Sequence, residues 1–515
     1  MRKLIAFILL TGWINLALAQ NDTLPSFVKD SLDTYVAKAL TQWQIPGISV
    51  CIIKNGKTVW MKGYGVKEMG TNDKVDENTL FMIGSNTKAF TATALAMLEA
   101  DNLSAGTHGK LSLDDKVQKW FPDFKLYDPW VTKEVMIRDL LCHRLGFETF
   151  QGDFMYFDSD LTAQVVFEKL AKVKPMYGFR SKWGYTNAAF GVAGEVIAKA
   201  SGKPWATFIK ERIFVPLGMN NTLALSKDIQ SDANKASAHT VVRGELKKIP
   251  YGRIDNISPA GSISSSVKDM SKWVSVQLNG GKLNDQQIIP ASAIAQTWTP
   301  QSILGNGGTM FNTGHFALYG LGWFLEEYNG KKIVSHTGGV NGFVTSVTLA
   351  PEERLGIVVL TNTDANNFYE ALKMEIMDAY LGLPYRNYSG LLLKNQANNE
   401  AAREKQLKAK QDTINTKPAT TLPLAAYAGT YKHNVYGNMT ISVKEGKLLA
   451  TFEHHQGRYA VVEPLGGNRF LATFNDPLYG IKVWSFTTGD KMVKSVTVKV
   501  ADFVEFTPYE FYKVK

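Results

Sequence analysis

The chain contains 515 residues, of which 45% are hydrophobic and 20% are charged. This is the composition of a globular protein, and it excludes wholesale disorder, a fibrous repeat and a polytopic membrane protein. At roughly 150 residues per domain the length predicts two to four domains. The formal net charge of +10 is too diffuse to indicate nucleic-acid binding. The two cysteines exclude a disulfide-stapled scaffold and a Cys-rich zinc site.

The N-terminus has the pattern of a signal peptide over residues 1–19. A positively charged start precedes a short apolar run, and Ala17 and Ala19 form a small-x-small cleavage site. A transmembrane anchor is the alternative, but Gly12 and Asn15 break the apolar run, which is too short to span a bilayer. We therefore expect cleavage after Ala19 and a secreted or periplasmic protein without a transmembrane anchor.

The first elements of the mature chain are a hairpin and a helix. The β-rich runs at 47–54 and 57–63 flank Asn55-Gly56, the strongest short-range signal for a hairpin. An Ala- and Leu-rich stretch with helical spacing follows over residues 87–100.

Strand patterns return late in the same region. They begin near Ile333 and are followed by a helical run over 368–381. Strands at both ends with helices between them predict an α+β domain over residues 20–388, with an antiparallel sheet flanked by helices and a helical subdomain.

The C-terminal part changes character. Residues 389–421 are polar and charged, which is typical of a linker, here with some helix. Short alternating strands fill 422–515, with turn signals at Glu445-Gly446, and they predict a small β-rich barrel or sandwich.

Ser85 and Lys88 form a Ser-x-x-Lys pair at the start of the predicted helix. Residues three apart on a helix share one face, and a lysine with a pKa lowered by burial can take the proton of a serine hydroxyl. The same spacing occurs at Ser26 and Ser265, so the pattern alone is weak. Only Ser85 follows a glycine and an apolar approach; helix capping is the structural alternative for it and for Ser265.

Two further segments carry groups suited to the same chemistry. Tyr185 could relay a proton near Lys88, and Asn187 could bind a substrate amide. His336-Thr337-Gly338-Gly339 follows an apolar strand, and its glycines would let a backbone N–H approach a substrate oxyanion. Standing alone, an aromatic before a helix or a histidine at a strand end is more often structural.

Taken in order, Ser-x-x-Lys, Tyr-x-Asn and His-Thr-Gly resemble the motifs of the serine penicillin-recognising enzymes. These are the class C β-lactamases, the DD-peptidases and related CubicO-type esterases and peptidases. The resemblance covers roughly residues 25–388 and implies the β-lactamase/transpeptidase-like fold. More loosely, the C-terminal strands resemble the lipocalin-like β domain appended to some of these hydrolases, where it shapes the active-site mouth or drives oligomerisation.

The resemblance implies a role for each residue of the three motifs. Ser85 would be the acylated nucleophile, and Lys88 with Tyr185 would manage its proton. Asn187, His336 and Thr337 would bind substrate. The backbone N–H groups of Ser85 and Gly339 would form the oxyanion hole. His336 departs from the lysine of the family motif, and a neutral imidazole binds a carboxylate less strongly than an ammonium does.

Together with the signal-peptide pattern, the resemblance implies an exported hydrolase acting through an acyl-enzyme on amide bonds of small peptides, similar to a DD-carboxypeptidase or D-aminopeptidase. A class C β-lactamase and an esterase are the alternatives. A penicillin- or muropeptide-binding protein without turnover is the non-enzyme alternative. Expected partners are a small peptide, muropeptide or β-lactam substrate, with no nucleic acid, and a second copy of the chain bound through the C-terminal domain.

No metal or other cofactor is expected. His454-His455 could indicate a metal, but no HExxH motif or paired cysteine supports one. Cys51 and Cys142 could pair in an oxidising compartment, although two separate buried thiols are favoured because free cysteine packs as a small hydrophobic residue.

Overall fold

The computed structural model describes residues 24–104, 111–312 and 314–514. The predicted signal peptide, residues 1–19, lies outside the described residues. These ranges form an α+β domain built on an antiparallel sheet, followed by a closed β-barrel. No helix within them is long and apolar enough to cross a membrane.

The predicted hairpin starts the main sheet. Asn55 and Gly56 have φ angles of +54° and +77°, the left-handed conformations that a two-residue hairpin turn requires. The first strand also pairs with a strand from the far end of the domain, so that Ile48 lies opposite Thr361. In spatial order the eight strands are Lys57–Gly65, Gly47–Lys54, Leu355–Thr361, Phe343–Ala350, Lys331–Val340, Phe324–Tyr328, Ala317–Tyr319 and Ser302–Gly305.

The sheet is buried on both faces, which explains the nearly continuous apolar run of its first strand. Val50 and its i±2 neighbours pack into the layer formed by helices Leu32–Gln42 and Phe368–Tyr380. Cys51 points to the other side, where helix Val267–Leu278 packs. Alternate residues of a strand face opposite sides, so both sets must be apolar when both faces are covered.

Helices of the α+β domain lie on both faces of this sheet and in an insertion between its strands. Their bounds are Leu32–Gln42, Thr87–Ser104, Val117–Trp120, Pro129–Glu134, Ile137–Leu141, Ala163–Leu170, Asn187–Ser201, Trp205–Ile209, Val215–Leu217, Ser258–Gly261, Val267–Leu278, Ala291–Thr297 and Phe368–Tyr380. Among the described residues, three short strand pairs accompany them: Phe81–Met82 with Ser264–Ser265, His239–Val242 with Glu245–Lys248, and Lys282–Leu283 with Gln286–Gln287.

The segment predicted as a linker is mostly one polar helix, Tyr388–Asn415. A short helix, Leu424–Tyr427, then leads into the barrel. The last strand pairs with the first, with Tyr431 opposite Lys513, so the barrel closes on itself. In chain order the barrel strands are Gly429–His433, Gly437–Lys444, Lys447–Phe452, Tyr459–Gly466, Arg469–Phe474, Ile481–Gly489, Met492–Val498 and Tyr509–Lys513.

The cysteines are separate, as the sequence favours. Cys51 and Cys142 are both free and fully buried. Burial raises the pKa of each thiol to about 12, so both remain protonated and act as small hydrophobic side chains.

Candidate active site

Ser85 lies in the 3₁₀ turn Gly84–Asn86, directly before helix Thr87–Ser104. Over residues 79–97 it is the one side chain that is not buried. The turn therefore presents a single hydroxyl at the N-terminal end of a buried helix, where the helix dipole favours a developing negative charge.

The turn is held by hydrogen bonds to one carbonyl. The oxygen of Ile83 accepts from the backbone N–H of Asn86 at 3.2 Å, from its Nδ2 at 3.2 Å and from Thr345 Oγ1 at 3.0 Å. The preceding strand, Phe81–Met82, pairs with Ser264–Ser265. Ser85 thus sits on backbone anchored from both sides.

Glycines let the strand Lys331–Val340 press against this turn. Gly84 has a φ of +52°, and a Cβ there would lie 2.9 Å from the backbone nitrogen of Gly339. A Cβ on Gly338 would lie 1.9 Å from the carbonyl oxygen of Ile83. The His-Thr-Gly-Gly segment therefore brings its backbone beside the Ser85 turn, as an oxyanion hole made from both would require.

Lys88 is fully buried, and its Nζ lies among three acceptors. Ser85 Oγ is at 3.0 Å, Asn187 Oδ1 at 2.6 Å and the carbonyl oxygen of Ala260 at 2.7 Å. Burial lowers the pKa of Lys88 well below its ordinary value of 10.5, and the nearby Asp153 opposes this only in part.

This contact set determines what a neutral Lys88 does. A neutral amine has two N–H donors and one lone pair. Asn187 Oδ1 and the Ala260 carbonyl can only accept, so they take the two N–H groups. The lone pair is then left for the hydroxyl proton of Ser85, which is the arrangement of a general base beside its nucleophile.

Asp153 sets the orientation of the Asn187 amide. Its Oδ2 accepts from Asn187 Nδ2 at 2.6 Å, which directs Oδ1 toward Lys88. Asp153 is buried, and burial raises its pKa to about 7. Asn187 Nδ2 has a second hydrogen, which can donate to a substrate carbonyl.

Tyr185 is buried beside Ser85, and its ring lies 4.7 Å from Lys88 Nζ. Burial raises the pKa of Tyr185, so the phenol stays protonated and suits a proton relay better than a base. The ring stacks on His143, with centroids 4.2 Å apart. His143 Nδ1 accepts the backbone N–H of Thr186 at 3.0 Å, which fixes this stack.

Both ring nitrogens of His336 are engaged within the protein. Nδ1–H donates to the carbonyl of Thr337 at 2.6 Å, and Nε2 accepts from the hydroxyl of Tyr319 at 3.0 Å. Burial, with Lys88 nearby, lowers the pKa of His336 to about 3. His336 is therefore neutral, so it offers a substrate carboxylate no positive charge.

These residues border a cavity of about 310 Å³. Its wall is mostly apolar and aromatic, and the described residues that line it include no lysine or arginine. Two aromatic residues of the C-terminal domain contribute: Phe503 and Phe506 lie on the loop before the last strand. The lining residues are Ser85, Thr149, Phe150, Asp153, Tyr156, Phe157, Trp183, Tyr185, Asn187, Ile254, Ile257, Ala260, Gly261, Phe324, His336, Thr337, Gly339, Val340, Phe503, Val504 and Phe506.

The two adjacent histidines of the barrel contact the α+β domain. His455 Nε2 lies 2.8 Å from the carbonyl of Phe154, and His454 Nδ1 lies 3.0 Å from Asp160 Oδ1. Within the described ranges, no group of three or more His, Cys, Asp or Glu side chains is arranged to hold a metal ion.

The structure brings together every site residue that the sequence singles out. Ser85, Tyr185, Asn187, His336, Thr337 and Gly339 line the cavity, and Lys88 lies directly behind Ser85. Sequence reasoning misses Asp153, His143 and Tyr319, because none of them belongs to the three motifs. The segment LLCHRLGF at 140–147, which contains His143, also resembles the family, and this is the one signal that points to that region.

Comparison with known proteins identifies the family of the chain. The family model described as Beta-lactamase matches residues 32–381. The chain belongs to the β-lactamase family of serine hydrolases. A second model, described as a domain of unknown function (DUF3471), matches residues 414–513, which include the barrel.

Two relatives and one solved structure illustrate the likeness. An unguisins hydrolase of Aspergillus violaceofuscus is 30% identical over 485 residues, covering 88% of this chain and 84% of that protein. Penicillin-binding protein 4* of Bacillus subtilis is 27% identical over 359 residues, covering 65% of this chain and 73% of that protein. The octameric penicillin-binding protein homologue from Pyrococcus abyssi shares the fold, with a TM-score of 0.59 at 21% identity over 94% of this chain and 99% of that one.

Proposed function

We propose that this chain is an exported serine hydrolase that cleaves amide bonds of small peptides through an acyl-enzyme on Ser85. The observation that supports this is the 3.0 Å contact between Ser85 Oγ and the buried Nζ of Lys88. Burial lowers the pKa of Lys88 well below its ordinary value, so the neutral amine, which can act as a base, is more populated than at an exposed lysine.

Acylation begins when Ser85 Oγ attacks the scissile carbonyl carbon and Lys88 Nζ takes the hydroxyl proton. The backbone N–H groups of Ser85 and Gly339 stabilise the oxyanion. The proton then passes through the hydroxyl of Tyr185 to the leaving nitrogen. The C–N bond breaks, the amine product departs, and an ester remains on Ser85.

Deacylation repeats these steps with water. Lys88 takes a proton from a water molecule as its oxygen attacks the ester carbonyl. The bond to Ser85 Oγ breaks, and Oγ recovers the proton from Lys88. One water is consumed per amide bond, and the products are a carboxylic acid and an amine.

The cavity favours uncharged substrate groups. Its lining is largely aromatic and aliphatic and, among the described residues, lacks a lysine or arginine. Since the pKa of His336 is lowered to about 3, that residue supplies no cation. Of the peptide activities considered, hydrolysis next to an apolar, uncharged residue suits this wall better than a carboxypeptidase reaction, which must hold a free carboxylate.

β-Lactam hydrolysis is the second candidate, favoured by the family and by the similarity to penicillin-binding protein 4*. It uses the same nucleophile and base, and esterase action would as well. The histidine in place of the motif lysine weighs against it, because a neutral imidazole holds an anionic substrate weakly.

Export and self-association are part of the proposal. The N-terminal pattern supports cleavage after Ala19 and a secreted or periplasmic location. The octameric assembly of the Pyrococcus abyssi homologue is compatible with self-association. We propose the C-terminal domain as the interface.

Labelling with a fluorophosphonate and with a fluorescent penicillin tests the proposal in wild type and Ser85→Ala. We expect Ser85-dependent labelling by at least one probe. Its absence with both would contradict the enzyme hypotheses and favour a binding protein without turnover. Rates on nitrocefin, and on a D-Ala-D-Ala peptide in free and amidated forms, then separate the candidates; the amidated peptide should be cleaved fastest.

A further inference from the structure

The 3₁₀ turn Asp153–Met155 lies between the active site and the barrel. Asp153 points into the site, and the next side chain, Phe154, points the opposite way into a ring of barrel aromatics. Phe154 is 1% exposed and stacks on His455, with centroids 4.3 Å apart and planes at 6°. It also lies parallel to Tyr509, at 5.6 Å and 12°. Phe154, a residue of the α+β domain, thus packs among aromatic side chains of the C-terminal domain.

The backbone around Asp153 is held by side chains of the C-terminal domain. Glu505 is fully buried: its Oε1 accepts the N–H of Gly152 at 2.8 Å, and its Oε2 accepts that of Phe154 at 3.1 Å. From the other side, His455 Nε2 lies 2.8 Å from the carbonyl of Phe154. These bonds span more than 300 residues of sequence, so only the docked barrel supplies them.

The carboxylate of Glu505 is itself held in place. Oε1 also accepts from the hydroxyls of Tyr436 and Thr507, both at 2.6 Å. A carboxylate that accepts from four donors has little freedom to move. Glu505 therefore holds the turn Asp153–Met155 in a defined position relative to the barrel.

From the turn, the connection continues to the nucleophile. Asp153 orients the Asn187 amide, which accepts from Lys88, and Lys88 contacts Ser85. We propose that Glu505 is a positioning residue for catalysis: by clamping the Gly152–Phe154 backbone it holds Asp153, and through Asn187 it aligns Lys88 with Ser85. The inference rests on the proposed function for its kinetic consequence. It assigns the barrel a part in the chemistry in addition to any part in assembly.

Full-length wild type, Glu505→Gln and Glu510→Gln provide the test. In Glu505→Gln the new side-chain amide would turn a donor toward one of the N–H groups that the carboxylate now accepts. Glu510→Gln makes the same charge change as a control, since the described hydrogen bonds of Glu510 go to barrel residues, Ser495 and Tyr512. Saturable phosphonylation of Ser85 by a fluorophosphonate, in which Oγ bonds to phosphorus and fluoride leaves, gives the binding constant and the maximal rate separately, and hydrogen exchange reports on residues 150–157 without any substrate.

For Glu505→Gln we expect a maximal phosphonylation rate about 10- to 100-fold lower, an unchanged binding constant and faster exchange over 150–157. Glu510→Gln should match wild type in all three. An unchanged phosphonylation rate in Glu505→Gln overturns the proposal, whether or not exchange increases. A rise in the binding constant alone overturns it too, because that would make the barrel only a wall of the cavity.

His455→Ala serves as the second variant, since it loosens the same turn from the carbonyl side and leaves Glu505 intact. It should reproduce the loss in maximal rate, and a wild-type rate in His455→Ala counts against the clamp. Because exchange needs no reactive serine, faster exchange in Glu505→Gln is observable even if the proposed peptide activity fails.

Discussion

The Ser-x-x-Lys pairs at Ser85 and Ser265 both lie near the start of a helix, but their surroundings in the structure differ. Lys88 is fully buried among three acceptors, one of them Ser85 Oγ. Lys268 is exposed on helix Val267–Leu278. Ser265 is buried, and its hydroxyl lies 2.8 Å from that of Thr222. This hydroxyl therefore lies within the packed interior and does not line the cavity.

The Ser-x-x-Lys spacing therefore places the two side chains on one face of a helix, but the elements packed against that face decide whether the lysine can act as a base. Helix Asn187–Ser201 and the short helix Ser258–Gly261 cover Lys88 and provide its acceptors. Burial by these elements lowers the pKa of Lys88. Lys268 stays exposed, and its helix is capped by Ser266 through the N–H of Asp269. The capping role that the sequence suggests for Ser265 therefore falls one residue later.

The largest contrast should come from the two serines. Ser85→Ala should abolish fluorophosphonate labelling, a loss on the order of 10⁴- to 10⁶-fold for removal of a nucleophile. Ser265→Ala should retain the wild-type labelling rate, because its hydroxyl lies in packing. In-gel fluorescence after timed labelling measures both. Equal losses in the two variants would break the comparison.

The next largest difference in rate is expected between variants of the two lysines. Lys88→Met should slow acylation by about 10²- to 10⁴-fold through loss of the base, while Lys268→Met should leave it unchanged. Because the pKa of Lys88 is lowered, its neutral form grows as pH rises, so the wild-type rate should climb with pH and level off well below pH 10.5. A rate that falls over this range would identify the protonated amine as the active form.

Asp153→Asn tests the hydrogen bond that orients Asn187 beside Lys88, for which the pair Ser265 and Lys268 has no counterpart among the described residues. An asparagine at this position can accept or donate, so it no longer fixes the Asn187 amide, and acylation should slow by about 10-fold. Loss of the Asp153 carboxyl should also change the pH dependence of stability. Its pKa is raised from 3.8 to about 7, so the folded state keeps a proton in this window that the unfolded chain has lost.

The free energy of unfolding should therefore fall as pH rises from 3.8 to about 7, and fall less in Asp153→Asn. Urea denaturation on both sides of the window measures this. Identical pH slopes for variant and wild type would contradict the raised pKa.

His336→Lys tests whether the lack of a cation in the described lining of the cavity sets the preference for uncharged substrates. The described lining holds no lysine or arginine, so an added ammonium should raise the rate on a free-carboxylate peptide relative to its amide by about 10-fold, or about 1.4 kcal/mol. Tyr319→Phe is the matched control, since it removes the hydrogen bond to His336 Nε2 and adds no charge. An unchanged ratio in His336→Lys would remove this residue from substrate recognition.

The smallest effect on the kinetics is expected where the C-terminal domain lines the cavity. Phe503 is 39% exposed and lies 5.9 Å from Phe157 across the cavity mouth. Phe503→Ala should raise KM for apolar peptides about 5-fold, since a half-exposed ring contributes about 1 kcal/mol, with kcat unchanged. Met492→Ala, on an exposed part of the barrel, should leave KM unchanged. A loss confined to kcat would instead assign Phe503 to the clamp.

Much of the fold could be predicted because its signals are local. The hairpin at Asn55-Gly56 and the late strands near Ile333 are visible in the alternation of side chains and in turn residues. The C-terminal strands are predictable in the same way, but a barrel and a sandwich share these signals. Pairing of Tyr431 with Lys513 closes the barrel, and no local pattern carries that contact.

The candidate site is predictable only to the extent that its residues stand in ordered motifs. Asp153 and Glu505 escape sequence reasoning because each matters through contacts with distant segments. The His-His pair gives no sign of what His455 does: such a pair is typical of a metal ligand, whereas in the structure His455 bonds the carbonyl of Phe154.

By itself the sequence determined the periodic elements, the glycine-permitted turns and the placement of Ser85 and Lys88 on one helical face, because these follow from geometry within a few residues. Only the tertiary structure decided which lysine is buried, which way the Asn187 amide points, and that the barrel clamps the turn of Asp153. Desolvation and hydrogen-bond complementarity arise between elements hundreds of residues apart, so they exist only once the chain has packed.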